Sequence, residues 1–382
     1  MVKTKIIATI GPAVDDKKSL EKLIKAGVSV FRLNFKHSSL RWHRLQMKRI
    51  REVAGELDLP VGLMIDLRGP EGRVEEPTTL FSEDFKAISL AKNYEADFVA
   101  LSFVRDEEDL LNLRRALEKE ALRAAVIAKI ENQTAIENFE KILLKADGIM
   151  VARGDLGVEL PIEEVPFWQK YIIDRCLKVG KPVITATEML LSMTKSPRPT
   201  RAEVSDIANS VYDYADALML SEETAIGKYP LEAVGMMRRT CEFIEGKLGT
   251  REEKFFAHDQ TEAMVLAAFN LAKESELPQP FKAFVVLTDE GKTARVLSSL
   301  RPRLPILAIT PKRGVQRQLC LSFGVESFHF DYRKDEVGKA IKSTIEFLQK
   351  QGKLKKGDKV VMVYGDDWRF PGRTNLVRIQ EV

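Results

Sequence analysis

The sequence predicts an α/β protein: a (β/α)8 barrel followed by a C-terminal α/β domain with a mostly parallel sheet. Three observations carry this. Short apolar, β-branched runs recur eight times up to residue 221, amphipathic segments fill most of the gaps between them, and the runs are apolar on both faces, as buried parallel strands must be.

The first run, KIIATI at 5–10, is followed by DDKKSLEKLIKAG, whose early acids, late bases and terminal Gly27 read as a helix with a start and a stop. SVFRLN (29–34), VGLMID (61–66) and DFVALS (97–102) are the next three strands, and DEEDLLNLRRALEKEA repeats the helix pattern after the fourth. AVIAKI (125–130), GIMVA (148–152), PVITAT (182–187) and ALMLS (217–221) complete eight, which places the barrel over 1–248. The charged connection GTREEKFFAHDQ opens the second domain, 249–382. There AFVVLT, PILAIT, GVESFHF and DKVVMVYG read as strands, alternating with helices around 262–274, 292–300, 313–323 and 335–350.

Composition narrows the function. The 382 residues are 45% hydrophobic, enough for a large core, and 60 Lys plus Arg face 56 Asp plus Glu, a net charge of +4 with no basic block. Neither nucleic acid nor an anionic membrane is expected as a partner. The start, MVKTKIIATIGP, has an apolar run too short for a secretory signal, and no stretch reaches membrane length, so a cytoplasmic location is expected. Cys176, Cys241 and Cys320 lie far apart without a CxxC and read as buried thiols. His43, His258 and His329 read as packing or surface residues, and no Walker loop occurs.

Active sites of such barrels lie at the carboxyl ends of the strands, so the residues leaving each run are the candidates. They are Arg32, Asn34, Lys36 and His37; Asp66 and Arg68; Ser102 and Arg105; Lys129 and Glu131; Arg153 and Asp155; Thr187 and Glu188; and Ser221, Glu222 and Glu223. Taken singly, Asn132, Asp155 or Ser221 could simply cap a helix. Taken together they suggest chemistry. Glu131 and Asp155, on adjacent strands, suit one hard divalent ion completed by substrate oxygens and water. Lys129 shares a strand face with Glu131 and would stabilise a phosphoryl group or enolate oxygen; a plain salt bridge to Glu131 is the alternative, disfavoured by the cost of a barrel lysine without an anionic ligand. Gly154 lets helix-start amides approach a carboxylate, and Thr187 offers a hydroxyl for a proton relay.

TKIIATIGPAV, VFRLNFKHSS, IDLRGPEGR, ALSFVR, AKIENQTAIENF, DGIMVARGDLGVELPIEEVPFWQK, GKPVITATEMLLSMTKSPRPTRAEVSDIAN and LMLSEETAIGKYPLEAV, in that order, resemble the pyruvate kinase family from about Lys3 onward. The resemblance implies transfer of the phosphoryl group of phosphoenolpyruvate to ADP, with Mg2+ (or Mn2+) and often K+, by a homotetramer. It implies that Arg32 and Lys129 contact the phosphoryl group, that Glu131 and Asp155 bind magnesium, and that the Gly154 and Asp155 amides take the substrate carboxylate. Thr187 would protonate the enolate carbon, His37 and Arg73 lie on the nucleotide side, and Asn34 and Asp66 are ligands of the monovalent cation.

The departures are informative. The family's lid domain, inserted after the third strand, is expected to be absent here, with only a loop at about 74–85. The family's NFSHG reads NFKHSS and its LDTKGPE reads IDLRGPE, so Lys36 and Leu67 stand where two ligands of the monovalent cation belong; the Lys36 ammonium near Asp66 and Glu71 is expected to make K+ dispensable. Glu188 and Glu222 replace a usual Gln and Gly. In the second domain TDEGKT (288–293) is either a helix-capping turn or an effector pocket, with Thr288, Lys292 and Thr293 taking a phosphorylated ligand beside WRFPGRTN. The missing lid leaves two other functions open: metal-dependent enolate chemistry without nucleotide, such as oxaloacetate decarboxylation or pyruvate enolisation, and a non-catalytic effector-binding role.

Overall fold

The structure is a computed structural model and describes residues 2–69, 79–249, 255–273, 280–367 and 373–382. It comprises two compact units, one of Met1–Leu177 with Lys181–Leu248, the other of Lys178–Gly180 with Gly249–Val382.

The first unit is a closed barrel of eight parallel strands in chain order: β1 (Lys5–Thr9), β2 (Val28–Asn34), β3 (Gly62–Leu67), β4 (Phe98–Leu101), β5 (Ala125–Ile130), β6 (Gly148–Ala152), β7 (Val183–Ala186) and β8 (Ala217–Leu220). Closure is made by β1 against β8, with Ile6 opposite Leu218. Every residue of β1, β3, β4, β6, β7 and β8 is buried, because alternate side chains fill the barrel and the layer under the helices. The outward set, including Ile6, Phe31, Leu63, Val99 and Ile149, joins one continuous core with the helices. Phe31 and Phe98 are among the largest fully buried side chains of the barrel; each such burial contributes about 1.5–3 kcal/mol.

Helix signals in the sequence act where they were read. Asp16 caps Lys17–Ala26 by accepting from the Ser19 amide, and Gly27 ends it in the left-handed region at φ +115°. Asp106 caps Glu107–Lys119; a capping box of Thr200 with Glu203 on Arg201–Tyr212 was not singled out in the sequence. Of the three rim residues with a capping alternative, Asn132 does cap, accepting from the Ala135 amide at 2.8 Å. Asp155 instead lies inside the first turn of Arg153–Glu159, and Ser221 makes no side-chain cap bond. The exit of β3 needs glycine: Gly69 has φ +63°, and a Cβ there would sit 2.1 Å from the Ser102 carbonyl oxygen.

The second unit is a five-stranded sheet in the order β11-β10-β9-β12-β13. β9 (Ala283–Leu287), β10 (Ile306–Thr310), β11 (Val325–His329) and β12 (Lys359–Tyr364) are parallel, and β13 (Leu376–Glu381) runs antiparallel to β12. β13 is absent from the sequence reading for a physical reason: as an edge strand no residue of it is fully buried, so LVRIQE carries charges in place of an apolar run. Separate apolar cores line the two faces of the sheet. All three cysteines are buried, and no helix among the described residues is long and apolar enough to cross a membrane.

Candidate active site

Two cations and two carboxylates meet at the carboxyl ends of β2, β3 and β5. β2 and β3 pair Asn34 with Asp66 and Arg32 with Met64, so Arg32 starts two positions lower and its long side chain spans the difference. Its Nε donates to Asp66 Oδ2 at 2.7 Å, Nη2 lies 2.6 Å from the same oxygen, and Nη1 donates to Thr9 Oγ1 at 3.1 Å. Lys129 Nζ is 2.9 Å from Glu131 Oε1 and 3.4 Å from Asp66 Oδ2, and donates to Ser102 Oγ at 2.8 Å. Ser102 Oγ in turn lies 2.9 Å from the Leu67 carbonyl and 3.2 Å from Asp66 Oδ1, with one proton to give between them. The Phe103 amide donates to Glu131 Oε2 at 2.6 Å.

The Lys129–Glu131 ion pair corrects the sequence reading, which disfavoured it. The argument assumed that a barrel lysine needs an anion from outside. Here Asp66 and Glu131 are themselves buried beside it, so the barrel supplies both counter-charges and the cost of burying Lys129 is offset in place. The electrostatics agree: burial alone would lower the Lys129 ammonium, but Asp66 and Glu131 hold it above its ordinary value. Burial would raise the Asp66 carboxyl, and Lys129 and Arg32 bring it below the usual range. Glu131 is raised, chiefly by burial, and the charges of Asp155 and Asp66 add to the effect.

A fully buried carboxyl pushed upward, with a second carboxylate acting on it, fits a divalent cation. Asp155 is exposed in the first turn of its helix, and among the described residues no group of three or more potential ligands forms. A magnesium site completed by substrate asks for two protein carboxylates, which Glu131 and Asp155 would supply.

The exit of β7 adds a hydroxyl. Thr187 Oγ1 accepts from the Gly154 amide at 2.7 Å and donates to the Ala186 carbonyl at 2.6 Å, joining β7 to the helix that carries Asp155. Behind it, Glu223 is buried and takes the amides of Leu190 at 2.9 Å and Ser221 at 2.7 Å; burial pushes its carboxyl up. Glu188 and Glu222 are exposed.

Asn34 Oδ1 accepts the Lys36 amide at 3.1 Å, and Lys36 Nζ stands 4.7 Å from the Phe103 ring centroid. His37 is exposed; its carbonyl accepts from Nε2 of His43, which is buried and stacked on Phe35 at 4.0 Å. Arg73 and Glu71 lie outside the described residues. Thr9 and the Phe103 amide were not anticipated. Thr9 was findable, because it follows Ile7 by two on β1 and so shares its face; a backbone amide leaves no mark in a sequence.

In the second unit Thr288 Oγ1 accepts the Gly291 amide at 3.0 Å, and Gly291 has φ +80°. Lys292 pairs with Asp259, Thr293 Oγ1 lies 2.8 Å from Thr374 Oγ1, and Lys312 pairs with Asp289 and Glu290. Thr288 thus closes a turn ahead of the helix Lys292–Ser299, whose N-cap residue Gly291 takes no side-chain cap bond. Thr288, Lys292, Thr293 and Thr374 line a pocket with Arg333 and Arg373. Of WRFPGRTN, only the last three residues are described.

Comparison with known proteins decides the family. The model of the pyruvate kinase barrel domain matches residues 1–80 and 76–234, and that of the pyruvate kinase alpha/beta domain matches 259–380. The chain belongs to the pyruvate kinase family. It is 34% identical to a pyruvate kinase of Staphylococcus epidermidis over all of this chain and 81% of that protein. Pyruvate kinase 2 of Synechocystis is 35% identical over all of this chain and 79% of that protein, and a Staphylococcus aureus pyruvate kinase is 34% identical with 81% covered. The first alignment runs over 479 positions against 382 residues here, so the relative carries residues without counterpart in this chain. The barrel-domain match itself comes in two pieces that meet at 76–80.

Proposed function

We propose that the chain transfers the phosphoryl group of phosphoenolpyruvate to ADP, giving pyruvate and ATP, at the rim formed by β2, β3, β5, β6 and β7. The observation that carries this is the buried Arg32–Asp66–Lys129–Glu131 cluster, two fixed cations beside the carboxylate best suited to a metal. Phosphoryl transfer asks a protein mainly for positioning and charge stabilisation. Arg32 and Lys129 hold the phosphoryl oxygens, and Lys129 stabilises the enolate oxygen as the bond to phosphorus breaks. The Asp155 amide takes the substrate carboxylate, joined by the Gly154 amide only if it leaves Thr187 Oγ1, and the Thr187 hydroxyl leads a proton toward the enolate carbon. When bound, magnesium or manganese supplies a Lewis acid for phosphate oxygens, and Glu131 and Asp155 are the residues that would hold it.

The lid domain is taken to be absent between β3 and the next helix. ADP then meets an open rim with His37 and Arg73, and turnover is expected to be slow because no closure excludes water. One observation favours a second reading, enolate chemistry without nucleotide: the groups facing the enolate lie together in the barrel, while the nucleotide side contributes only His37 among the described residues. The buried Lys129 cluster speaks against a non-catalytic role. Assembly as a homotetramer is supported by exposed apolar side chains at Val158, Ile162 and Phe167. Effector binding at Thr288, Lys292 and Thr293 would require a phosphate to displace the Lys292–Asp259 pair.

The test is pyruvate formation from phosphoenolpyruvate with Mg2+, with and without ADP. Turnover that depends on ADP is expected; none, together with oxaloacetate decarboxylation, would move the assignment to the second reading.

The oxygens that the family resemblance offers a monovalent cation are already engaged. Asp66 Oδ2 receives Arg32 and faces Lys129, Asn34 Oδ1 receives the Lys36 amide, and Leu67 offers no side-chain oxygen. The set does not fit K+, and fixed ammonium charge, including Lys36, is proposed in its place. Turnover should be equal in KCl and in tetramethylammonium chloride of the same ionic strength. A wild-type chain that needs K+ would refute this.

A further inference from the structure

We propose that Arg153 is a positioning residue that fixes the aim of the Thr187 hydroxyl. Thr187 and Glu188 are consecutive non-glycine residues in the left-handed region, at φ +71° and +55°. For a β-branched residue this is a true outlier, and such a conformation persists only where surrounding contacts over-determine it. Arg153 provides those contacts. Its Nε donates to the Ala186 carbonyl at 3.2 Å and its Nη2 to the Thr187 carbonyl at 2.7 Å, so the guanidinium holds the peptide oxygens on both sides of the Thr187 α-carbon. Nη2 also meets Met189 Sδ at 2.8 Å, beyond Glu188.

The far edge of the guanidinium is anchored in turn. Nη1 donates to Asp206 Oδ1 at 2.6 Å and to Gln169 Oε1 at 3.3 Å, from two different helices. All five N–H groups of the side chain are thereby engaged within the barrel, leaving none for a substrate. Arg153 is also bonded to Gly154, whose amide donates to Thr187 Oγ1. Side chain and main chain of one residue pair thus grip the same strained exit from opposite sides. Relaxing Thr187 to the right-handed region would turn its carbonyl off the guanidinium and its hydroxyl off the Gly154 amide together.

A lysine cannot reproduce this, since one ammonium cannot span both carbonyls and Asp206. The catalytic consequence rests on the reading of Thr187 given above, so the test has two arms on the full chain. In the first, threonine methyl groups are 13C-labelled and the Thr187 signal is assigned with Thr187→Ser. Arg153→Lys is expected to shift, split or broaden that signal, leaving threonines of the second unit unmoved; Asp206→Ala, which removes the acceptor of Nη1, is expected to move it in the same way and serves if Arg153→Lys does not fold. In the second, exchange of pyruvate methyl hydrogens with D2O and ADP-dependent turnover are followed. Arg153→Lys should lower kcat about 10- to 100-fold with the KM for phosphoenolpyruvate changed far less. An unmoved Thr187 signal overturns the proposal, as does a moved signal with wild-type kcat. A moved signal in a chain whose wild type is inactive supports the positioning and rejects the reaction assigned to the site.

Discussion

Replacing Lys129 by methionine is expected to reduce ADP-dependent pyruvate formation at least about 10²- to 10³-fold in kcat, the loss seen when one preorganised stabilising group is removed from developing negative charge. Among the described residues, Lys129 is the one buried ammonium within reach of Asp66, Glu131 and Ser102 together. Methionine keeps most of the length and removes the charge, so substrate still enters while the enolate oxygen loses its cation. The KM for phosphoenolpyruvate should change much less than kcat. Glu131 is left facing an apolar side chain, and breaking such a buried pair costs about 3–5 kcal/mol, so circular dichroism and the unfolding midpoint must be recorded beside the kinetics. A folded Lys129→Met chain retaining a tenth or more of wild-type kcat would remove Lys129 from the proposed chemistry.

Asp66→Ala is expected to be the most damaging single change to the barrel, lowering its stability by about 3–5 kcal/mol. Asp66 takes two contacts from Arg32, lies 3.2 Å from Ser102 Oγ and faces Lys129 at 3.4 Å, with 1% of its surface exposed. Its removal takes the carboxylate from Arg32 and leaves Lys129 with Glu131 alone. Asn keeps the shape and one accepting oxygen, so Asp66→Asn should fall between alanine and wild type. Urea unfolding followed by a probe confined to the barrel is the measurement, since two units need not unfold together. If Asp66→Ala stayed within about 1 kcal/mol of wild type, the cluster would not be the electrostatic centre assigned to it.

Both expectations rest on residues that the sequence brought forward for different reasons. Lys129 and Glu131 stand two apart on one strand, so their common face follows from the period of a β-strand. Asp66 was marked at a strand end, with the monovalent cation as its partner through family resemblance. The structure places Arg32 and Lys129 on it. Ser102 and Glu223 were noticed at strand ends without a role; the first touches Lys129, and the second carries two amides of the β7 and β8 exits.

The sequence by itself determined the eight barrel strands, most of their helices, the rim and the family, because each rests on short-range periodicity or on motifs contiguous in the chain. Only the tertiary structure decided that Arg32 pairs with Asp66 across two strands, that the Phe103 amide meets Glu131, and that Arg153 holds Thr187 in the left-handed region. It also decided that LVRIQE forms the antiparallel edge strand β13. These contacts join segments about 30 residues apart or, for β13, depend on pairing to a single neighbour, β12. Strand register and barrel closure bring such groups together, and neither leaves a local pattern in the sequence.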